Sequence, residues 1–226
     1  MNVKKYLKIA VDVLMLILLV FLANRRNGMG LLLHAVLGIA EFLLFVIHHL
    51  LNVWWYKSLF KGKWNARWIF LFVTDTVMMV AMILMIISSF QISGLVFEWD
   101  FFPVRFQWKN IHSVCSSALF MITAFHLAIH MNGVLKKMEL IFQKSASHGR
   151  KFKLLSITYY LLTAIGTIAL SQSRIFSNLF LLYTDASYRW SDFMQIVFSV
   201  MIVLGVISGC TLVRKLKQQP NAKDRV

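Results

Sequence analysis

Proline is almost missing from this chain, with two in 226 residues (Pro103 and Pro220), so little in it interrupts long helices. Acidic residues are scarce as well: nine Asp and Glu stand against 24 Lys and Arg, for a net charge of +15. There are two cysteines, Cys115 and Cys210, both inside apolar runs, which argues against a disulfide framework. Neither lies in a Cys-x-x-Cys-His motif, so covalent c-type haem is excluded. A Gly-rich phosphate loop, a nucleophile elbow and a soluble catalytic domain are also lacking.

What the chain has in quantity is apolar residues, 59% of the total, with a mean hydropathy of +0.69. That exceeds what a soluble domain uses and predicts an integral membrane protein. A span needs about 20 predominantly apolar residues. Six segments qualify, at residues 6–23, 29–55, 68–92, 110–135, 154–171 and 193–213. The fifth is diluted by Ser156, Thr158, Thr163 and Thr167. The first resembles a signal peptide, but Asp12 interrupts it and Ala23-Asn24-Arg25 is a poor cleavage site, so it reads as a helix. The expected fold is an all-α polytopic membrane bundle, with a four-helix core over residues 1–137. Two more spans and a basic tail follow over residues 138–226.

The excess of positive charge reads as topology rather than as nucleic-acid binding. If six helices alternate, 18 of the basic residues share one face and six the other. The first set comprises the N-terminus, the loop with Lys57, Lys61, Lys63 and Arg67, the loop from Lys136 to Lys153, and the tail from Arg214. By the positive-inside rule that face is cytoplasmic, which places both termini inside a bacterial inner membrane. The tail reads as a solvated basic end drawn to anionic lipid.

The second and fourth segments then run parallel, from outside to inside. His34 and His48 are 14 residues apart in one, and His112 and His126 are 14 apart in the other. Fourteen residues rise ~21 Å and make about four turns of a supercoiled helix, so each pair lies on one face at two depths. His34 levels with His112 and His48 with His126, which is the pattern of axial ligands for two stacked b-type haems. The histidine pairs are too far apart for a compact four-ligand zinc site.

The two helices also repeat locally at an offset of 78 residues. Four residues after the first histidine comes Gly38 or Ser116, small enough to let a porphyrin approach or a neighbouring helix pack closely. Four after the second comes Asn52 or His130, placed to meet a haem edge, and His130 is also a substitute ligand. His49 lies about 100° round the helix from His48, so only one of the two faces the haem; the gap of 14 favours His48.

The run from His34 through Gly38 and His48 into Leu50-Leu51-Asn52-Val53-Trp54-Trp55-Tyr56-Lys57-Ser58-Leu59-Phe60-Lys61-Gly62-Lys63, followed by Trp108, His112, His126 and His130, resembles a small bacterial membrane cytochrome b-like domain. That domain is associated with flavinylated extracytoplasmic electron carriers. The resemblance covers residues 29–135 and extends distantly to respiratory cytochrome b and ferric reductase transmembrane domains. It implies two b haems on His34, His48, His112 and His126. It also implies electron exchange between a membrane quinone and an extracytoplasmic flavin or haem protein, as a subunit of a membrane oxidoreductase. The chain departs from the respiratory subunit in lacking its Pro-Glu-Trp-Tyr quinone motif.

Three carboxylates fall inside predicted spans, Asp12, Glu41 and Asp75, where a charge costs at least ~2.5 kcal/mol. Glu41 is seven residues from each of His34 and His48 and so shares their face. It is read as a redox-linked proton acceptor or as a protonated carboxyl bonded to a neighbouring helix. Asp12 and Asp75 are expected to meet Lys8, Arg67 or a quinone headgroup. The aromatic loop from Val96 to Trp108 is expected along the interface, capping the outer haem together with the segment from Ser171 to Trp190. Arg25, Arg26, Arg105 and Lys109 are candidates to neutralise outer propionates, and Lys136 and Lys137 inner ones.

Two other classes compete with this reading. One is a metal or proton transporter using His34, Glu41, His48 and Asp75 along a polar path. The other is a haem-free anchor subunit whose histidines pack helices.

Overall fold

The computed structural model describes residues 3–24, 30–58, 61, 65–93, 107–144, 148–182 and 190–218, with side chains described over most of these. All the regular elements among them are helices: α1 (Val3–Ala23), α2 (Leu31–Leu51), α3 (Val53–Ser58), α4 (Ala66–Ser93), α5 (Trp108–Lys144), α6 (His148–Gln172), α7 (Arg174–Leu179) and α8 (Asp192–Gln218). Five of them, α1, α2, α4, α5 and α8, are long and apolar enough to cross a membrane. The fifth expected span, 154–171, is helical within α6, but the described side chains of α6 begin at residue 157, short of a spanning length. Residues 96–106 of the aromatic loop, Arg25, Arg26 and the side chains of Arg67, Lys136 and Lys137 lie outside the described residues, while Trp108 at the end of that loop opens α5.

The second predicted span ends earlier than expected. Asn52 stops α2: its backbone N–H bonds the carbonyls of His48 and His49, and its Nδ2 donates to His48 O at 2.9 Å. An asparagine that supplies its own acceptors and donors competes with helix continuation. The chain turns there into the short α3, so the Trp-Trp-Tyr run is a separate element. α7 is likewise unforeseen. Ser173 caps it by accepting from Phe176 N.

α5 is the axis of the bundle. It packs along α4 and α8, while α1 packs along α2 and α6 along α8. Phe120 and Ala124 of α5 are buried with Leu19 of α1, Ala169 of α6, Ile175 of α7, and Ile202 and Val203 of α8. The last two long helices thus share a core cluster with α1 and α5. A smaller cluster joins Ala81 and Met82 of α4 to Leu119 of α5, with Phe45 of α2 against it.

Lipid tails supply no hydrophobic drive for helix association, so close backbone approach and buried polar bonds must do that work. Both are present. Gly166 of α6 and Gly205 of α8 cross so tightly that a Cβ on Gly166 would lie 2.6 Å from the Gly205 Cα. Arg174, itself buried, donates from Nη1 to Asp192 Oδ1 at 2.9 Å and Asn24 O at 3.3 Å, and from Nη2 to Trp190 O at 3.2 Å. Asn24 Nδ2 also donates to Ser199 Oγ at 2.7 Å, and the Arg174 N–H donates to Gln195 Oε1 at 3.0 Å. This network ties the end of α1 to α7 and α8. By contrast α2 rests mainly on α1, and its buried residue is Glu41.

Candidate functional site: two levels of histidine

His34 of α2 and His112 of α5 are brought together as the sequence predicts. Their ring centres are 6.1 Å apart with the planes at 64°. Two metal–imidazole bonds of about 2 Å, plus the distance from nitrogen to ring centre on each side, give roughly 6 Å for two axial ligands of one metal. The interplanar angle is allowed because each ring turns about its own bond. Two imidazoles leave a bare ion short of ligands, whereas a porphyrin supplies the remaining four. Among the described residues no group of three or more His, Cys, Asp or Glu is placed to hold a metal ion.

The hydroxyls beside His112 define its tautomer. Its Nδ1 lies 3.4 Å from Ser88 Oγ and 3.2 Å from Ser89 Oγ. Both hydroxyls already donate to Met85 O, at 2.8 and 2.7 Å, so they face the ring as acceptors. His112 therefore carries its proton on Nδ1, which leaves the lone pair on Nε2.

At the other end of the same helices the histidines meet carboxylates. His48 Nδ1 donates to Asp12 Oδ1 of α1 at 2.7 Å. His126 Nδ1 lies 2.9 Å from Asp75 Oδ1 of α4, within ion-pair distance but off the line of a hydrogen bond. A carboxylate oxygen that accepts from His48 holds that ring with its proton on Nδ1. The Asn52 amide, 3.5 Å from His48 Nε2, approaches that lone pair as a donor. Asp12 and Asp75 thus face imidazoles; Lys8 bonds Asn52 Oδ1 instead, at 2.8 Å. Sequence reasoning placed them at this end but missed these partners. Carboxylate spacing alone carried no such signal, because each pairing crosses a hairpin.

The rings of His48 and His126 are not in contact with each other among the described interactions. His48 meets Asp12, Asn52 and His49, and His126 meets Asp75 and His130, whose ring centre is 4.5 Å away on an exposed position. His49 packs its edge on Phe45 and holds the Tyr56 hydroxyl 2.6 Å from its Nδ1. Tyr56 lies outside the spans; burial first, and then the Asp75 charge, push its phenol above the ordinary value of 10.0. Asp75 therefore stands near both the α2–α3 junction and His126. Together with the His34–His112 contact, this makes α2 and α5 parallel, as the charge pattern predicts.

Gly38 and Glu41 lie between the two levels. A Cβ on Gly38 would meet nothing within 4 Å, so this glycine is not a close-packing contact and the space beside it is open. Glu41 is 3% exposed, and its Oε2 has no hydrogen-bond partner among the described residues.

Comparison with family models, with curated proteins and with solved structures finds no match in any of the three. The functional reading therefore rests on this chain's own residues.

Proposed function

We propose that this protein carries electrons across a membrane through two b-type haems held between α2 and α5. The observation that carries the reading is the 6.1 Å couple of His34 and His112, levelled by two parallel helices and flanked by open space at Gly38. His34 and His112 hold the outer group; His48 and His126, each anchored at Nδ1 by a carboxylate, hold the inner one. The haem, when bound, supplies the one-electron couple. The chain's residues orient the imidazoles and exclude water from the space between the helices.

His48 is favoured over His49 because its Nδ1 partner can only accept, whereas the Tyr56 phenol can donate to His49 and leave that ring's proton on Nε2. The basic face gives the direction in the membrane: the carboxylate-flanked end is cytoplasmic and the serine-flanked end extracytoplasmic. A quinone in the bilayer and a flavin or haem protein outside are the partners this arrangement suits.

Purification in mild detergent tests the proposal. The reduced-minus-oxidised spectrum is expected to carry b-type bands corresponding to about two haems per chain. His112→Ala should lose one haem, and His48→Ala should lose one while His49→Ala loses none. A colourless protein that is otherwise folded would overturn the reading and favour a His- and carboxylate-lined transporter.

A further inference from the structure

Of the three carboxyl groups inside the expected spans, one is left without a partner. Asp12 and Asp75, with side chains 52% and 18% exposed, each face an imidazole, 2.7 Å from His48 and 2.9 Å from His126. Glu41 is buried, takes no part in the ion pairs among the described residues, and its Oε2 has no hydrogen-bond partner among them. We propose that Glu41 is an intramembrane proton-binding site, holding one exchangeable proton as a neutral acid. That role goes beyond the di-haem reading and does not depend on it.

The surroundings of Glu41 fix the state of the acid. Four residues after it, one turn along the same face, Phe45 packs against Ala81 and Met82 of α4 and Leu119 of α5. Seven residues before it, two turns the other way, His34 meets His112 of α5. Glu41 therefore faces the interior between α2, α4 and α5, bracketed by an apolar cluster on one side and an imidazole pair on the other.

The titratable groups of the neighbouring helices are engaged elsewhere. Lys8 and Asp12 of α1 bond Asn52 and His48, Asp75 of α4 stands beside His126, and His130 of α5 lies against the His126 ring. His112 of α5 meets Ser88 and Ser89, and Cys115 of the same helix is a buried free thiol. An ionised Glu41 would be a bare charge in an apolar interior, which is avoided by keeping the group protonated.

The proton is not sealed in. Gly38, three residues before Glu41 and on the same side of α2, has nothing within 4 Å of where a Cβ would stand. A base entering that space takes the O–H proton and leaves a carboxylate; a proton returned by the same route restores the neutral acid.

Dicyclohexylcarbodiimide, a hydrophobic reagent that reacts with protonated carboxyls, tests the assignment. The acid proton adds to one nitrogen of the reagent and the carboxyl oxygen to its central carbon. Acyl transfer to nitrogen then gives a stable N-acylurea, so the peptide gains the mass of the whole reagent. With the purified full chain in mild detergent at neutral pH, one adduct per chain is expected, on the peptide carrying Glu41 and not on those carrying Asp12 or Asp75. It should be lost in Glu41→Gln and fade as alkali ionises the acid. Infrared spectra of the same samples should show the carbonyl stretch of a neutral carboxyl, shifted in heavy water and missing from Glu41→Gln.

An adduct on Asp12 or Asp75 in place of Glu41 overturns the assignment. So does an infrared spectrum from which Glu41→Gln removes no neutral-carboxyl band, or a band that does not respond to deuterium. Where the reagent forms no adduct, the infrared difference alone decides. Haem content measured on the same preparation keeps the two failures apart: a colourless protein with the Glu41 band sinks the di-haem reading and leaves the proton site standing.

Discussion

Gly38 and Gly166 both sit inside long helices, and they are there for opposite reasons. Gly166 is pressed against the Gly205 backbone, while Gly38 has no atom within 4 Å of where its side chain would begin. The α6–α8 half is assembled as membrane helices usually are, by backbone contact through small residues. The α2 side is not: its helix leans on α1 and leaves room beside its histidines. The contrast teaches that a glycine in a span marks either a place already filled or a place kept for something else, and that only the neighbours tell which.

The comparison breaks most violently where the two halves are tied. Arg174→Ala should cost about 3–5 kcal/mol, because it leaves Asp192 and the backbone carbonyls of Asn24 and Trp190 without their guanidinium donor, while the backbone N–H that serves Gln195 stays. Thermal unfolding in detergent should shift sharply downward for it. Asp192→Asn should cost less, since that carboxylate is 38% exposed and water can replace part of the bond. If Arg174→Ala unfolded like the parent protein, the two halves would be held by apolar packing alone.

The glycines come next. Gly166→Val puts three carbons where 2.6 Å separates the positions now, and overpacking of this kind costs about 1–3 kcal/mol or more. Gly38→Ala should do the reverse and gain up to about 1 kcal/mol of helix propensity. The informative variant is Gly38→Phe, which should leave the unfolding temperature near that of the parent yet lower the haem content. Unchanged haem content in that variant would show that the open space beside α2 faces lipid and not a porphyrin.

Much of this was legible beforehand because membrane spans and charge asymmetry are properties of segments, and segment averages survive ignorance of packing. Two of the five described spans, α1 and α4, fall within three residues of their expected bounds at both ends, whereas α5 and α8 run on at their C-termini and α2 stops early. The pairing of His34 with His112 was legible because a 14-residue gap fixes both face and depth. The carboxylate partners were not. Asp12 reaches His48 across a hairpin, and nothing along the chain says which faces of two helices meet. The role of Arg174 was not legible either, because sequence gives its depth but not its burial. The role of Asn52 was misplaced for a related reason: its side chain turns back on its own helix end and on Lys8, where sequence position suggested a haem edge.

The smallest expected effect bears on His49. The Tyr56 phenol is held above its ordinary value of 10.0 by burial and by Asp75, so its neutral form is favoured in the folded protein. A group whose folded value is raised contributes stability that is present in full below the unfolded value and is lost as pH rises through the folded one. The Tyr56 contribution should therefore hold at neutral pH and fade above about pH 10, and Tyr56→Phe should remove it, narrowing the stability gap between the two proteins under alkaline conditions. Alkaline absorbance titration should find one fewer late-ionising phenol in the variant. Tyr56→Phe also discriminates between the adjacent histidines, because the phenol touches His49 and not His48. If His48 is the inner ligand, haem content stays as in the parent. A loss of one haem on removing that single hydroxyl would move the inner ligand to His49.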